Sequence, residues 1–408
     1  MSAARAPVAA IVAAEQHSMA SSARWLLFRN RIKQFWFEVV IRHPPFQGCG
    51  ERIAISWTRA SASMQCRRDN MLYRGQHIVF RQSKCSGMIV LSEKREKAMA
   101  DLGIRVVSVP DRALKAYLEE RCPAIDFVLW DDDAEPSVRD LSVIDAVITP
   151  YAHSSRTVER LASLPRLKLV QTQSTGVDNL LGRVPPGVLL CSARGVHAAS
   201  TAELAIGLAI ASLRGIDVAA RNMSRGIWQE ERRLTLTDRK VALLGYGSIG
   251  QELHRKLAAF DVETIRIGQT ARRDEHGDIH GIGDLVGLLS DTDILMSSLP
   301  LTPATAHLVN WAVLSAMKDG ALFVNVGRGG VVDQDALAVE LYSGRLSAAV
   351  DVTDPEPLPE GHPLWSAPNF LLTPHLGGNS SAFLPRIRRF LAEQMTRIGD
   401  GRPVVNQM

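Results

Sequence analysis

The feature that most constrains this chain is the apolar run Val241-Ala242-Leu243-Leu244, followed at once by Gly245-Tyr246-Gly247-Ser248-Ile249-Gly250. Four consecutive apolar residues read as a buried strand. The glycines fall at G-x-G-x-x-G spacing, and Ile249, Leu253, Leu257 and Phe260 then recur at helical spacing. A glycine spacing alone is weak evidence; strand, tight turn and helix in that order give it meaning. Gly245 permits the turn, Gly247 lets a pyrophosphate approach the backbone, and Gly250 lets the helix lie close on the sheet. The helix N-terminus, at Ser248 and Ile249, offers unpaired N–H groups to phosphate. The stretch therefore predicts a dinucleotide site in which Gly245, Tyr246, Gly247, Ser248 and Ile249 contact the cofactor.

What that cofactor serves has to be read elsewhere. At 408 residues the chain has room for two or three domains, and 46% hydrophobic with 22% charged residues places it among globular proteins. The cysteines, Cys49, Cys66, Cys85, Cys122 and Cys191, are odd in number and never at C-x-x-C spacing. That argues against a disulfide framework or a zinc site and for a reducing, cytoplasmic setting. No metal is expected. No apolar run is long enough to span a membrane, and Val8–Ala14 makes a poor signal-peptide core.

The net charge of +4 is unevenly spread, because residues 1–98 hold 16 basic and 6 acidic side chains. The rest is mildly acidic, so the overall charge implies neither nucleic acid nor membrane as a partner. Residues 1–103 also lack a sustained period of 3.6 or 2. Their aromatics and arginines would suit a nucleic-acid-binding arm. The simpler expectation is an extension that is disordered or untranslated, with the native start at Met99, after the purine-codon-rich Glu93-Lys94-Arg95-Glu96-Lys97.

Order begins near Ile104. Short apolar runs at Ile104–Val109, Phe127–Trp130, Ala146–Thr149, Lys168–Thr172 and Val188–Cys191 alternate with helical or polar segments, the rhythm of a parallel sheet. Asp131-Asp132-Asp133 reads as a solvated loop rather than a metal site, since consecutive carboxylates cannot all face one ion. A helix is expected over Ser200–Leu213. After the glycine turn, strands recur at Thr264–Ile267, Ile294–Ser298, Ala321–Val326, Ala348–Val352 and Phe370–Thr373, and a helix from about Ala382 to Ile398 closes the chain.

Three stretches begin at the carboxyl ends of these strands: Asn325-Val326-Gly327-Arg328-Gly329-Gly330, Asp351-Val352-Thr353-Asp354-Pro355-Glu356, and Thr373-Pro374-His375-Leu376-Gly377-Gly378. That edge of an open α/β sheet is where ligands bind. Singly, Arg328, Glu356 and His375 have dull explanations; together they make a set suited to reducing a 2-keto acid. A hydride goes to the carbonyl carbon and a proton to its oxygen, and histidine titrates near neutrality. A carboxylate beside the ring orients it and favours its charged form. A guanidinium binds carbonyl and carboxylate as a fork.

From about Ile104 onward the chain resembles the D-isomer-specific 2-hydroxyacid dehydrogenases, a family that includes glyoxylate/hydroxypyruvate reductases. The resemblance implies that Arg328, Glu356 and His375 are catalytic, and that Arg328 joins the Thr175 and Gly176 N–H groups of Gln173-Ser174-Thr175-Gly176-Val177-Asp178 in binding substrate. It implies cofactor contacts from Leu299, Pro300, Val326, Gly327, Asp351 and Gly378. It implies an α/β fold of two doubly wound parallel-sheet domains: a flavodoxin-like substrate domain (104–202 and 376–408) and a Rossmann NAD(P)-binding domain inserted in it (203–375). Closure about the interdomain helices, a homodimer and a small 2-keto or D-2-hydroxy acid as substrate are implied too. Tyr151 and His153 are candidate substrate-lining residues.

The departures from the family pattern are informative. NAD-preferring members carry an acidic residue at the end of the second cofactor strand. Here Gly268 stands there, followed by Gln269-Thr270-Ala271-Arg272-Arg273, so NADP rather than NAD is expected, with Arg272 and Arg273 at the 2′-phosphate. Glu356 stands where the superfamily's formate dehydrogenases carry glutamine, and no regulatory domain of the phosphoglycerate dehydrogenase kind is expected after Met408. The alternative from another class is a dinucleotide-sensing, corepressor-like binding protein of the same fold. A methyltransferase would have no use for the Arg/Glu/His set.

Overall fold

The computed structural model describes residues 102–130, 141–151, 155–178 and 180–408, together with four short strands in the first hundred residues. Those strands, Ile55–Trp57, Met64–Cys66, Met71–Arg74 and His77–Phe80, pair antiparallel in sequence order. They form part of a unit separate from residues 100–408 and were not anticipated. The expectation of a disordered or untranslated extension falls mostly outside the described residues, as do the Asp131-Asp132-Asp133 reading and His153.

Residues 100–408 contain two sheets. The first is parallel throughout, in the order Asp126–Leu129, Val106–Val109, Ala146–Ile148, Leu169–Gln171, Leu189–Cys191. The order turns back on itself beside Val106–Val109, which is a doubly wound topology. The strands match the apolar runs read from sequence to within two residues. Val107, Val109, Ala146, Ile148 and Leu169 bury one face against the helices Arg112–Arg121 and Phe383–Gly399; Val147 and Val170 bury the other against Val158, Leu161 and Leu164. The chain's end also returns here: Met408 N–H donates to Leu190 O and Ser192 N–H to Asn406 O, at 2.9 and 3.0 Å.

The second sheet has eight strands. Their order is Arg272–Asp274, Gly277–Gly281, Glu263–Gly268, Lys240–Leu244, Ile294–Ser297, Leu322–Asn325, Ser347–Val350, Phe370–Leu372. All pairs are parallel except the hairpin between the first two. The order reverses at Lys240–Leu244, so the glycine turn and the Leu299-Pro300 loop leave adjacent strands at the crevice. The helix Ala198–Arg214 packs on one face of this sheet through Ala202, Ala205, Leu208 and Ala209, the stripe anticipated from sequence. It ends at Gly215, whose left-handed backbone (φ 63°) closes the helix. Among the described residues no helix is long and apolar enough to cross a membrane.

Each sheet is pinned at its amino edge by an aspartate just before one of its strands, the fully buried Asp145 before Ala146–Ile148 and the half-buried Asp293 before Ile294–Ser297. Asp145 accepts from the N–H groups of Arg105 and Val106 at 2.9 and 3.1 Å and pairs with Arg166 at 2.9 Å. Asp293 accepts from Lys240 N–H at 2.8 Å and pairs with Lys318 at 2.7 Å. Burial alone would raise both carboxyl pKa values, but the backbone donors and neighbouring cations outweigh it and hold them below the usual range. A depressed native pKa gives stabilisation that is complete above the unfolded value of 3.8 and fades as pH falls through the lower folded value. Asp293→Asn is therefore expected to cost about 1–3 kcal/mol at pH 7, with the difference from the native chain shrinking in strong acid. Urea denaturation at both pH values checks it; an equal difference at both would show that the charge is not what stabilises.

Candidate active site

The glycine turn has the shape that the spacing requires. Gly245 sits at φ 98°, and a Cβ on Gly250 would meet the Gly245 carbonyl oxygen at 2.1 Å, so the helix Ser248–Leu257 lies directly on the turn. Over Gly247 there is open space instead, with nothing within 4 Å of a Cβ. A turn closed behind and open in front, at the N-terminus of a ten-residue helix, fits the pyrophosphate of a dinucleotide. Ser298 hydroxyl donates to Gly245 O at 3.0 Å, tying the turn to the next strand end before Leu299-Pro300. Val326 and Gly327 follow on the neighbouring strand, and a Cβ on Gly327 would meet Leu299 O at 2.4 Å.

The next loops carry the charged groups. Asn325, fully buried, accepts from Gly327 N–H at 3.0 Å and donates to Arg328 O at 3.1 Å, fixing the turn that presents Arg328. The Arg328 guanidinium reaches the loop of the first sheet. Its Nε donates to Asp178 at 3.1 Å, and a Cβ on Gly176 would meet Nη2 at 1.8 Å. The loop is braced by its own side chains: Thr172 hydroxyl donates to Ser174 O and Ser174 hydroxyl to Gly176 O, at 2.8 and 2.7 Å. Among the described residues the N–H groups of Thr175 and Gly176 have no acceptor.

His375 Nδ1 and Glu356 Oε1 are in hydrogen-bond contact. Nδ1–H donates to the carboxylate, which leaves Nε2 to face a ligand. His375 itself adopts a left-handed backbone (φ 52°), held because its N–H donates to Asp351 O at 2.9 Å. The buried Asp351 carboxylate accepts from Thr373 hydroxyl at 2.6 Å and from Leu376 and Gly377 N–H at 2.8 Å each. Asp351, expected at the nicotinamide, thus anchors the histidine loop.

Gly378 lies under Tyr151 and His197, where a Cβ would meet Tyr151 Oη at 2.6 Å. His197 stacks on Phe383 at 5.1 Å, and Tyr151 tilts against the same ring at 4.6 Å. Burial pushes the His197 pKa down, against the pull of the Gln173 and Gly378 backbone. Tyr151 was a sequence candidate; the Phe383 contact was not, since 232 positions separate the two and no local pattern reports it.

The structure separates the two arginines after the second cofactor strand. They lie on the edge strand Arg272–Asp274, where neighbouring side chains point to opposite faces. Arg272 turns towards the glycine turn, donating to Tyr246 O at 3.3 Å, and a Cβ on Gly268 would meet its Nη1 at 2.5 Å. Arg273 pairs instead with Asp278 at 2.8 Å on the exposed face.

Comparison with known proteins accounts for this arrangement. Residues 206–377 match the model of the D-isomer specific 2-hydroxyacid dehydrogenase NAD binding domain. Human glyoxylate reductase/hydroxypyruvate reductase is 32% identical over 293 residues, 66% of this chain and 89% of that protein. The chain belongs to the D-isomer-specific 2-hydroxyacid dehydrogenase family. Among solved structures, the Xanthobacter autotrophicus member in complex with NADPH and MES aligns at TM-score 0.64 and 29% identity over 75% of this chain and 98% of its own. An NADPH-dependent glyoxylate/hydroxypyruvate reductase from Sinorhizobium meliloti, bound to NADP and malonate, aligns at 0.60 and 26% over 74% and 96%. This dehydrogenase is an oxidoreductase that moves a hydride between a nicotinamide dinucleotide and a 2-keto or 2-hydroxy acid. The corepressor-like alternative is not favoured.

Gly176→Ala would force the Arg328 guanidinium aside while leaving the glycine turn untouched. The dehydrogenase variant is expected to show a KM for the keto acid raised about tenfold and an unchanged Kd for the cofactor, read by steady-state kinetics and nicotinamide fluorescence.

Proposed function

We propose that this dehydrogenase reduces a small 2-keto acid of the glyoxylate or hydroxypyruvate class with NADPH, and that His375 supplies the proton. The observation that carries the reading is the His375–Glu356 contact on the rim where Arg328 meets the Thr175-Gly176 loop. The bound nicotinamide supplies or takes the hydride. Gly245, Tyr246, Gly247, Ser248 and Ile249 receive the pyrophosphate, with Leu299, Pro300, Val326, Gly327 and Gly378 lining the remainder. Arg272 receives the 2′-phosphate, its guanidinium lying where a side chain at position 268 would stand. Arg273, paired with Asp278 on the exposed face, is not assigned to the cofactor.

The substrate carboxylate fits the Thr175 and Gly176 N–H groups together with Arg328, which also polarises the carbonyl. His375 Nε2 gives its proton to the carbonyl oxygen as the hydride arrives at carbon, and takes it back in the reverse direction. Glu356 holds the ring and balances its charge while Nε2 is protonated. The two side chains are 47% and 40% exposed, so water reaches them in this form. Closure of a substrate domain (104–202 and 376–408) over a cofactor domain (203–375) would exclude it.

A cytoplasmic setting suits the buried free thiols Cys122 and Cys191. A homodimer suits the arm after Gly215, which exposes Ile216, Met223, Ile227 and Trp228, the last at 94%. Trp228→Glu should yield monomers in sedimentation velocity where the native chain sediments as a dimer.

His375→Ala is expected to lower kcat by about 10²–10⁴ with cofactor Kd unchanged, and Glu356→Gln to lower it by about 10². A substrate panel of glyoxylate, hydroxypyruvate and phenylpyruvate with NADPH and NADH tests the reading. Unchanged turnover in His375→Ala would remove the histidine from its role, and a clear NADH preference would remove the 2′-phosphate assignment.

A further inference from the structure

The edge hairpin 272–281 does more than carry Arg272. Residues two apart on a strand share a face, and on that face two side-chain contacts reach back to the strand Glu263–Gly268: Arg272 lies over Gly268, and Asp274 pairs with Arg266 at 2.8 Å. Arg266 is only 4% exposed, a rare state for a guanidinium. Its donors are shared out across three elements. Nη1 donates to Asp274 Oδ1 at 2.8 Å and to Tyr246 Oη at 3.3 Å, and Nη2 to Asp278 O at 3.2 Å. Tyr246 Oη bonds in turn to His254 Nδ1 at 2.7 Å. Arg266 thus clasps the hairpin to the side chain of a glycine-turn residue whose own carbonyl receives Arg272.

We propose that Arg266 and Asp274 are positioning residues for cofactor choice: their buried ion pair docks the hairpin on Tyr246 and so aims Arg272 at a 2′-phosphate. The inference rests on the assignment of Arg272 as the 2′-phosphate ligand. Ile279 anchors the second strand of the hairpin in the core, but the edge strand Arg272–Asp274 is exposed along its whole length, so burial does not fix its side chains. Without the clasp, the long Arg272 side chain would have to be ordered at the moment of binding, at the cost of its rotamer freedom.

The sign of one substitution separates this from a plain charge effect. Asp274→Asn removes a negative charge near the phosphate position, so electrostatics alone would tighten NADPH. Positioning requires the opposite. Dissociation constants for NADPH and NADH, and for adenosine 2′,5′-bisphosphate against ADP, are measured on the full chain by fluorescence and calorimetry. Asp274→Asn and Arg266→Lys should each reduce the preference for the 2′-phosphorylated ligand about fivefold or more, with NADH and ADP binding unchanged, and Asp274→Glu should restore most of it. Equal weakening of both ligands would mark a structural role, and tightening of NADPH a charge effect; either overturns the proposal. Arg272→Ala is the control: if it leaves the preference intact, the underlying 2′-phosphate assignment fails, whereas its collapse with Asp274→Asn silent defeats the clasp alone.

Discussion

The site depends on how closely neighbouring strand ends can approach one another. Along the carboxyl rim of the larger sheet, loops touch backbone to backbone where a Cβ would intrude. A Cβ on Gly250 would meet the Gly245 carbonyl, one on Gly327 that of Leu299, and one on Gly329 that of Thr353, this last at 1.9 Å. These contacts draw the cofactor turn, the arginine loop and the aspartate loop into one continuous wall. The same means joins the wall to the first sheet, where Gly176 admits the Arg328 guanidinium. Side chains from separate strand ends can converge because the spaces between the loops hold no side chains.

On that wall the polar groups divide their work. Asn325 and Asp351, both buried, spend their hydrogen bonds on loop backbone and so set where Arg328 and His375 stand. Neither is dispensable for geometry, since losing one would leave buried N–H groups unpaired in a low-dielectric setting. Arg328, Glu356 and His375 keep their side chains partly open to solvent. The buried pair fixes the position of Arg328 and His375, while the side chains so positioned stay accessible.

Much of this was legible in the sequence, for physical reasons. Buried parallel strands are short apolar runs, and functional loops begin where those runs stop, so the strands and the rim residues could be placed by position alone. The hairpin 272–281 was not legible. It is a mostly exposed edge written in Arg, Asp, Glu, His and Gly, with Ile279 alone reaching the core and no alternation of the kind a half-buried strand shows. The separation of Arg272 from Arg273 follows from that hairpin, because a loop would have let both face one way. The Tyr151, His197 and Phe383 cluster was hidden for another reason: its members meet only through tertiary packing between distant segments.

The path of the chain has a consequence for biogenesis. The helix Phe383–Gly399 gives Ile387, Leu391, Met395 and Ile398 to the core of the first sheet, whose strands lie between residues 106 and 191. Emerging from the ribosome, that sheet has its strands long before the helix that covers one face. The strands of the larger sheet all lie between residues 240 and 372 and can pair while the first still exposes its apolar side. The order of completion therefore inverts the order of synthesis, and the nascent protein depends longest on whatever shields hydrophobic surface in the cell.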